Sequence, residues 1–149
     1  MRAVVQRVRR ARVTAGGQET GSIEAGLLVY LGIADEDEQE DLEYTVEKVL
    51  NLRIFEDEQR KMNRSVLDTG GSILVISQFT LYGDTRKGRR PSYNRAAPPG
   101  RADALYRRFV EQIAARGVTV ATGAFQKVMV VTSENTGPVT ILVDSKKEF

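Results

Sequence analysis

The 149-residue chain contains no cysteine, no histidine and no tryptophan. Without cysteine there is no disulfide and no thiolate nucleophile, and without histidine no Ser-His-Asp triad. Lacking both, a single chain builds no His/Cys zinc site. The carboxylates Asp68, Asp84 and Asp144 are scattered and form no metal or acid/base pattern, so neither a metal nor a cofactor is expected. No apolar run nears the ~18 residues that a membrane helix needs. The opening stretch MRAVVQRVRR also lacks the apolar centre of a secretory leader, so the cytoplasm is the expected location and no membrane partner is foreseen. Linkers, internal repeats and low-complexity tracts are missing, and the length suits one domain, so residues 1–149 are read as a single unit.

Net charge is small, +2, but unevenly distributed. Residues 35–47 carry eight acids and no base, whereas residues 86–101 carry six bases (Arg86, Lys87, Arg89, Arg90, Arg95, Arg101) and no acid. Arg2, Arg7, Arg9, Arg10 and Arg12 form a third block. Segregation of this kind points to an anionic partner met locally, such as RNA phosphate, although either block alone is equally a solvated face. The acidic stretch has a structural reason: Leu42, Val46, Val49, Leu50 and Ile54 recur at helical spacing. Asp35 and Asp37 stand before them, where acids favour a helix N-terminus.

Periodicity predicts a strand-rich α/β fold with two covering helices. Strands are expected at 2–8, 10–14 and 18–23 as a meander turning at Ala15-Gly16-Gly17. The continuous apolar run GLLVYLG at 27–33 reads as a central strand covered on both faces. Ile73 to Ile76 form another apolar strand, followed directly by SQFTLYG at 77–83. Residues 84–100 hold three of the four prolines and read as an irregular loop. A second helix is expected at 102–116, with Leu105, Tyr106, Phe109, Val110 and Ile113 on one face and a stop at Gly117. Strands at 118–122, 126–133 and 139–144 complete the chain, the last two joined by a turn across Glu134 to Pro138.

Two segments have the composition of a site. At SQFT, hydroxyls of Ser77 and Thr80, the Gln78 amide and the Phe79 ring gather where a strand ends and backbone N–H groups become free. Such a place suits an oxyanion held by the amides of 78–80, with a base stacked on an aromatic ring; read alone, it is equally a strand with a polar end. In NTGPVT, glycine tolerates almost any φ and an X-Pro bond adopts cis at little cost. The segment is therefore either an ordinary turn or a rigid backbone wall able to exclude one hand of a chiral centre. Tyr82, Tyr93 and Tyr106 are candidates to stack on bases, with Tyr106 assigned to the core by its helical face.

SQFTL at a strand end and Asn-x-Gly-Pro-Val-Thr near the C-terminus together resemble the signature pair of D-aminoacyl-tRNA deacylases. The likeness extends to AVVQRV, GLLVYLGI, NLRIFED, KMNRSVLD and KGRRPSYNRAAPP, and so spans the chain. The resemblance implies a three-layer β/β/α domain that forms a homodimer and hydrolyses the ester joining a D-amino acid to the 3′ end of tRNA. It places Ser77, Gln78, Phe79 and Thr80 in the catalytic pocket. It gives Gly137 and Pro138 the role of a cis Gly-Pro gate, inserted from the partner subunit, that rejects L-amino acids. It also implies that Arg7 braces that gate. On the same footing Phe125 and Met129 rim an adenosine pocket; from the clustering of charge, Arg86, Lys87, Arg89 and Arg90 are the candidates to contact tRNA, with bracing of the loop's own dimer as the alternative.

Thr80 lacks a neighbouring base and is assigned a positioning role. Glycyl-tRNA is an expected second substrate, because a steric gate at the α-carbon does not reject a hydrogen. The chain departs from the resemblance at Phe125-Gln126-Lys127-Val128-Met129, where relatives often carry Gly-Ala-Asp-Met after the phenylalanine. A second departure is Ser133-Glu134-Asn135-Thr136 before Gly-Pro. A non-catalytic tRNA-binding dimer is the alternative reading, and a purely structural dimer a third.

Overall fold

The computed structural model describes residues 1–149. Strand β1 (Arg2–Ala15) is the longest element of the N-terminal half. Its first half pairs with β3 (Gly26–Gly32) and its second half with β2 (Gln18–Ile23), both antiparallel. The sequence pattern splits this strand at residue 9, whereas the structure keeps it whole. The pairing register slips between Gln6 and Val8 and again between Val8 and Arg10, so the inward period changes phase without breaking the strand.

β3 is central as expected: β1 flanks one edge and β6 (Ser72–Ser77) the other, in parallel. Leu27, Val29, Leu31, Ile73 and Val75 belong to one buried cluster, while Leu28, Leu74 and Ile76 belong to a second with Val8, Ala11, Val13 and Ile23. Both faces of these two strands are therefore covered, which is why their sequences are apolar without alternation. At Gly26 a Cβ would lie 1.8 Å from Ser72 O, so only glycine allows the two strands to approach there. β7 (Val120–Thr122) extends the sheet beyond β6 in parallel, and β8 (Met129–Asp144) lines the free edge of β1.

The first cluster is closed by α1 (Gln39–Asn51) and α3 (Pro99–Ala115). Glu38, rather than Asp35 or Asp37, caps α1, in a reciprocal box with Asp41. Asp37 is buried, accepting hydrogen bonds from the Met1 ammonium (2.5 Å) and the Ala34 amide (2.7 Å). A third helix, α2 (Val66–Thr69), was not expected. It follows a small hairpin of β4 (Phe55–Glu56) and β5 (Met62–Arg64) in the turn-rich passage. These elements are too short to show a period. No helix is long and apolar enough to cross a membrane.

Asp41 ties α1 to the C-terminal segment. Burial pushes its carboxyl up, but the Glu38 amide, Lys146 ammonium and Ser145 hydroxyl outweigh burial and hold it at about 2. A carboxyl lowered below its unfolded value near ~4 stabilises the fold fully above that value and loses the contribution as pH falls toward 2. Urea midpoints measured from pH 6 to pH 2 are expected to drop most between pH 4 and pH 2, with Asp41→Asn flattening part of that drop.

Candidate active site

The last ladder bond beyond β6 is donated by the Gln78 amide to Leu31 O (2.8 Å). The chain then tightens into a 3-10 turn at Phe79–Tyr82, whose first bond runs from Leu81 N–H to Gln78 O (3.3 Å). The Phe79 and Thr80 amides precede that bond and stay outside the turn's own ladder. This narrows the expected oxyanion donors of 78–80 to two, because the sheet has taken the Gln78 N–H.

Ser77, Gln78 and Phe79 form one wall of a cavity of about 740 Å³. Pro98, Pro99 and Ala102, at the start of α3, form another, and the segment from Phe125 to Met129 a third. Most of the lining is apolar, as is usual for small-molecule pockets. Phe125 and Met129, the residues expected at an adenosine rim, both line this cavity, and Phe125 packs on Tyr106 with ring centroids 6.0 Å apart. The Phe79 ring is 56% exposed and meets Tyr93 edge-on at 5.1 Å, so Tyr93 is the tyrosine available at the mouth. Tyr82 and Tyr106 are buried; Tyr106 donates to Val75 O (2.8 Å), and Arg2 covers Tyr82. Burial removes both rings as stacking platforms, and it also pushes both phenols up.

Thr80 is exposed and does not line the cavity; its hydroxyl accepts a hydrogen bond from the Gln78 side-chain amide. No carboxylate lines the cavity either; the titratable side chains on its lining are Tyr93 and Lys127.

The Gly-Pro segment is not the turn expected between two strands. β8 is one strand, and between the pairs Gln6↔Thr140 and Val8↔Asn135 its residues 136–139 stand opposite Arg7 alone. The surplus chain buckles outward as a wide bulge with Gly137 and Pro138 exposed and the bond between them cis. Asn135 closes the base of the bulge, its Oδ1 accepting from the Val139 amide (2.8 Å) and its Nδ2 donating to Thr140 Oγ1 (3.0 Å). Arg7 reaches into it: Nε donates to Thr136 O (3.0 Å) and Nη1 to Ile54 O (2.7 Å). Gly137 has φ +128°, and a Cβ there would lie 2.8 Å from Val139 Cγ2 and 2.9 Å from Arg7 Nη2. Neither Arg7, Gly137 nor Pro138 lines the cavity of its own chain.

The basic loop divides by partner. Arg95 binds Glu36 and Glu148, Arg101 binds Glu38 and the Asp37 carbonyl, and Arg86 pairs with Asp84. Lys87, Arg89 and Arg90 are exposed at its tip and enter no ion pair. In the N-terminal block, Arg9 and Arg10 both pair with Glu134. Tyr93 was a stacking candidate in the sequence and does line the cavity, whereas Pro98, Pro99 and Ala102 were not foreseen as pocket residues; only the place of the two prolines in the resembling stretch KGRRPSYNRAAPP marked them.

A turn whose Phe79 and Thr80 amides lie outside its own ladder thus stands at the edge of a mostly apolar cavity that no carboxylate lines. The sequence profile of the family described as D-Tyr-tRNA(Tyr) deacylase matches residues 4–144. The D-aminoacyl-tRNA deacylase of Koribacter versatilis is 59% identical over the full length of both chains, and that of Alkaliphilus metalliredigens 58% identical over the same extent. Among solved structures, a c-Myc DNA unwinding element binding protein superposes with TM-score 0.91 at 44% identity, covering 97% of this chain and 98% of that one. A probable eukaryotic D-amino acid tRNA deacylase superposes with TM-score 0.81 at 22% identity, covering 96% and 98%, and shares the fold. The chain belongs to the D-aminoacyl-tRNA deacylase family and is an ester hydrolase acting on aminoacyl-tRNA.

Proposed function

We propose that the chain works in the cytoplasm as a homodimer of three-layer β/β/α subunits. In this reading it hydrolyses D-aminoacyl-tRNA to free D-amino acid and tRNA, with glycyl-tRNA as a second substrate. The observation that carries it is the separation of two halves of a site. The cavity is walled by Ser77, Gln78 and Phe79, at the turn that carries the amide donors, and has nothing that reads chirality, whereas the braced Gly137-Pro138 bulge does not line the cavity of its own chain. A second copy joins them if the bulge of one subunit enters the cavity of the other. The exposed apolar side chains Val130 (65%) and Leu142 (60%), flanking the bulge on β8, suit burial in such an interface.

The ester carbonyl oxygen then faces the Phe79 and Thr80 amides, which stabilise the charge that develops as water adds to the carbon. Collapse of the tetrahedral intermediate breaks the bond to the ribose 3′-oxygen, which takes a proton, with the neighbouring 2′-hydroxyl assisting. A rigid backbone wall leaves room for hydrogen but not for a side chain on the L face of the α-carbon, so D-residues and glycine enter and L-residues do not.

Mixing two inactive variants tests the shared site. Thr80→Pro removes an amide of one half and Gly137→Ala distorts the other. After subunit exchange about a quarter of the sites carry both intact halves, so activity should return to about that fraction of the unsubstituted protein. Mixtures as inactive as the separate variants would overturn the shared site.

The unpaired tip of the basic loop is assigned to tRNA phosphate. Replacing Lys87, Arg89 and Arg90 together by alanine should raise KM for D-Tyr-tRNA by about tenfold at low salt and reduce the salt slope of kcat/KM by about 2–3, leaving kcat within about twofold. An equal fall in kcat would assign the loop to the pocket.

A further inference from the structure

Of the 16 residues lining the cavity, Lys127 alone bears a charge. It is exposed and makes no ion pair or side-chain hydrogen bond. The turn that carries it is well fixed: the Lys127 amide donates to Ala124 O (3.2 Å), the Ala124 amide to Met129 Sδ (3.3 Å), and Gln126 sits at φ +59°. A lone cation on the rim of an apolar cavity, with no carboxylate facing it, gives that rim a positive potential directed at an anionic part of whatever enters. Resting on the deacylase reading above, we infer that Lys127 binds the phosphodiester on the 5′ side of the tRNA's terminal nucleotide and so helps to select polymeric substrate over a free nucleoside ester.

The chemistry of the two ends of the substrate fixes the direction. The aminoacyl end carries an α-ammonium group, which a lysine repels, whereas the nucleotide end carries phosphate. Lys127 therefore marks the nucleotide end, and the Phe79 and Thr80 amides mark the ester end. Phe125 and Met129 flank Lys127 on the same segment, so a base resting against them leaves its phosphate within reach of a flexible four-carbon stem. A lysine used this way acts as a point charge: it contributes to affinity and salt dependence but not to chemistry at the ester.

The test compares Lys127→Gln with the unsubstituted protein on two esters, D-Tyr-tRNA and 3′-O-D-tyrosyl-adenosine, which lacks the phosphate. The variant is expected to lose about five- to tenfold in kcat/KM on the tRNA ester through KM, with a much smaller loss on the nucleoside ester. Its salt slope on tRNA should fall by about 1, and Lys127→Arg should restore both. Equal losses on the two esters, or none on either, would overturn the phosphate contact while leaving the deacylase reading intact. Hydrolysis of neither ester by the unsubstituted protein would overturn that reading and the inference with it.

Discussion

Thr80→Pro is expected to slow hydrolysis of D-Tyr-tRNA by ~10²–10³-fold, the range seen when one oxyanion donor is removed, whereas Thr80→Ala should stay within about tenfold of the unsubstituted rate. The two substitutions separate backbone from side chain. Both delete the hydroxyl, but only proline deletes the N–H that lies ahead of the first bond of the turn. Proline is tolerated in a first helical turn because the missing donor had no partner in the helix, so thermal unfolding should show a folded protein in both cases. Single-turnover rates decide the matter. If alanine proved as damaging as proline, the hydroxyl would be acting chemically and the positioning role assigned to Thr80 would be wrong.

Gly137→Ala is the second substitution with a large expected effect. At φ +128° an L side chain is strained, at a cost of about 1–3 kcal/mol, and its Cβ would be forced against both Val139 and the Arg7 guanidinium. Arg7 is anchored at its other end on Ile54 O, so the bulge rather than the arginine is expected to move. A displacement near 1 Å of a group that positions the substrate costs on the order of 10²-fold in rate. Turnover of D-Tyr-tRNA should therefore drop by about that factor, and the ratio of D to L rates should shrink as the wall leaves its place. A variant with unchanged D turnover and unchanged rejection of the L-ester would show that Gly137 contributes no wall.

The strands were legible where composition reports burial directly. GLLVYLG and Ile73 to Ile76 are apolar throughout because both faces are covered, and no alternative element accommodates them so well. β8 was misread for an equally physical reason. Asn135, Thr136, Gly137 and Pro138 have the chemistry of a chain reversal, but here the surplus residues are absorbed by a bulge that leaves the strand direction unchanged. Asn135 uses its side chain to close the bulge rather than a hairpin, and no local pattern distinguishes the two uses.

The site was legible in part. Ser77 to Phe79 stand at the end of a recognisable strand, and the spare amides follow from that position, yet the loss of the Gln78 N–H to Leu31 depends on a neighbouring strand. The third wall of the cavity is brought in by β8 and the turn before it, far along the chain, so no spacing announces Lys127 or its isolation from acids. The basic loop shows the same limit. Its six bases look alike in sequence, and only the fold separates those held by Glu36, Glu38, Asp84 and Glu148 from the three left free.

The most direct test of a chiral deacylase is single-turnover decay of D-Tyr-tRNA and L-Tyr-tRNA by the purified protein, each against a no-enzyme control and with EDTA present. The account predicts rapid loss of the D-ester, while the L-ester decays at the uncatalysed rate. Equal loss of both esters would contradict the Gly137-Pro138 wall, and loss of neither would contradict catalysis by the Phe79 and Thr80 amides.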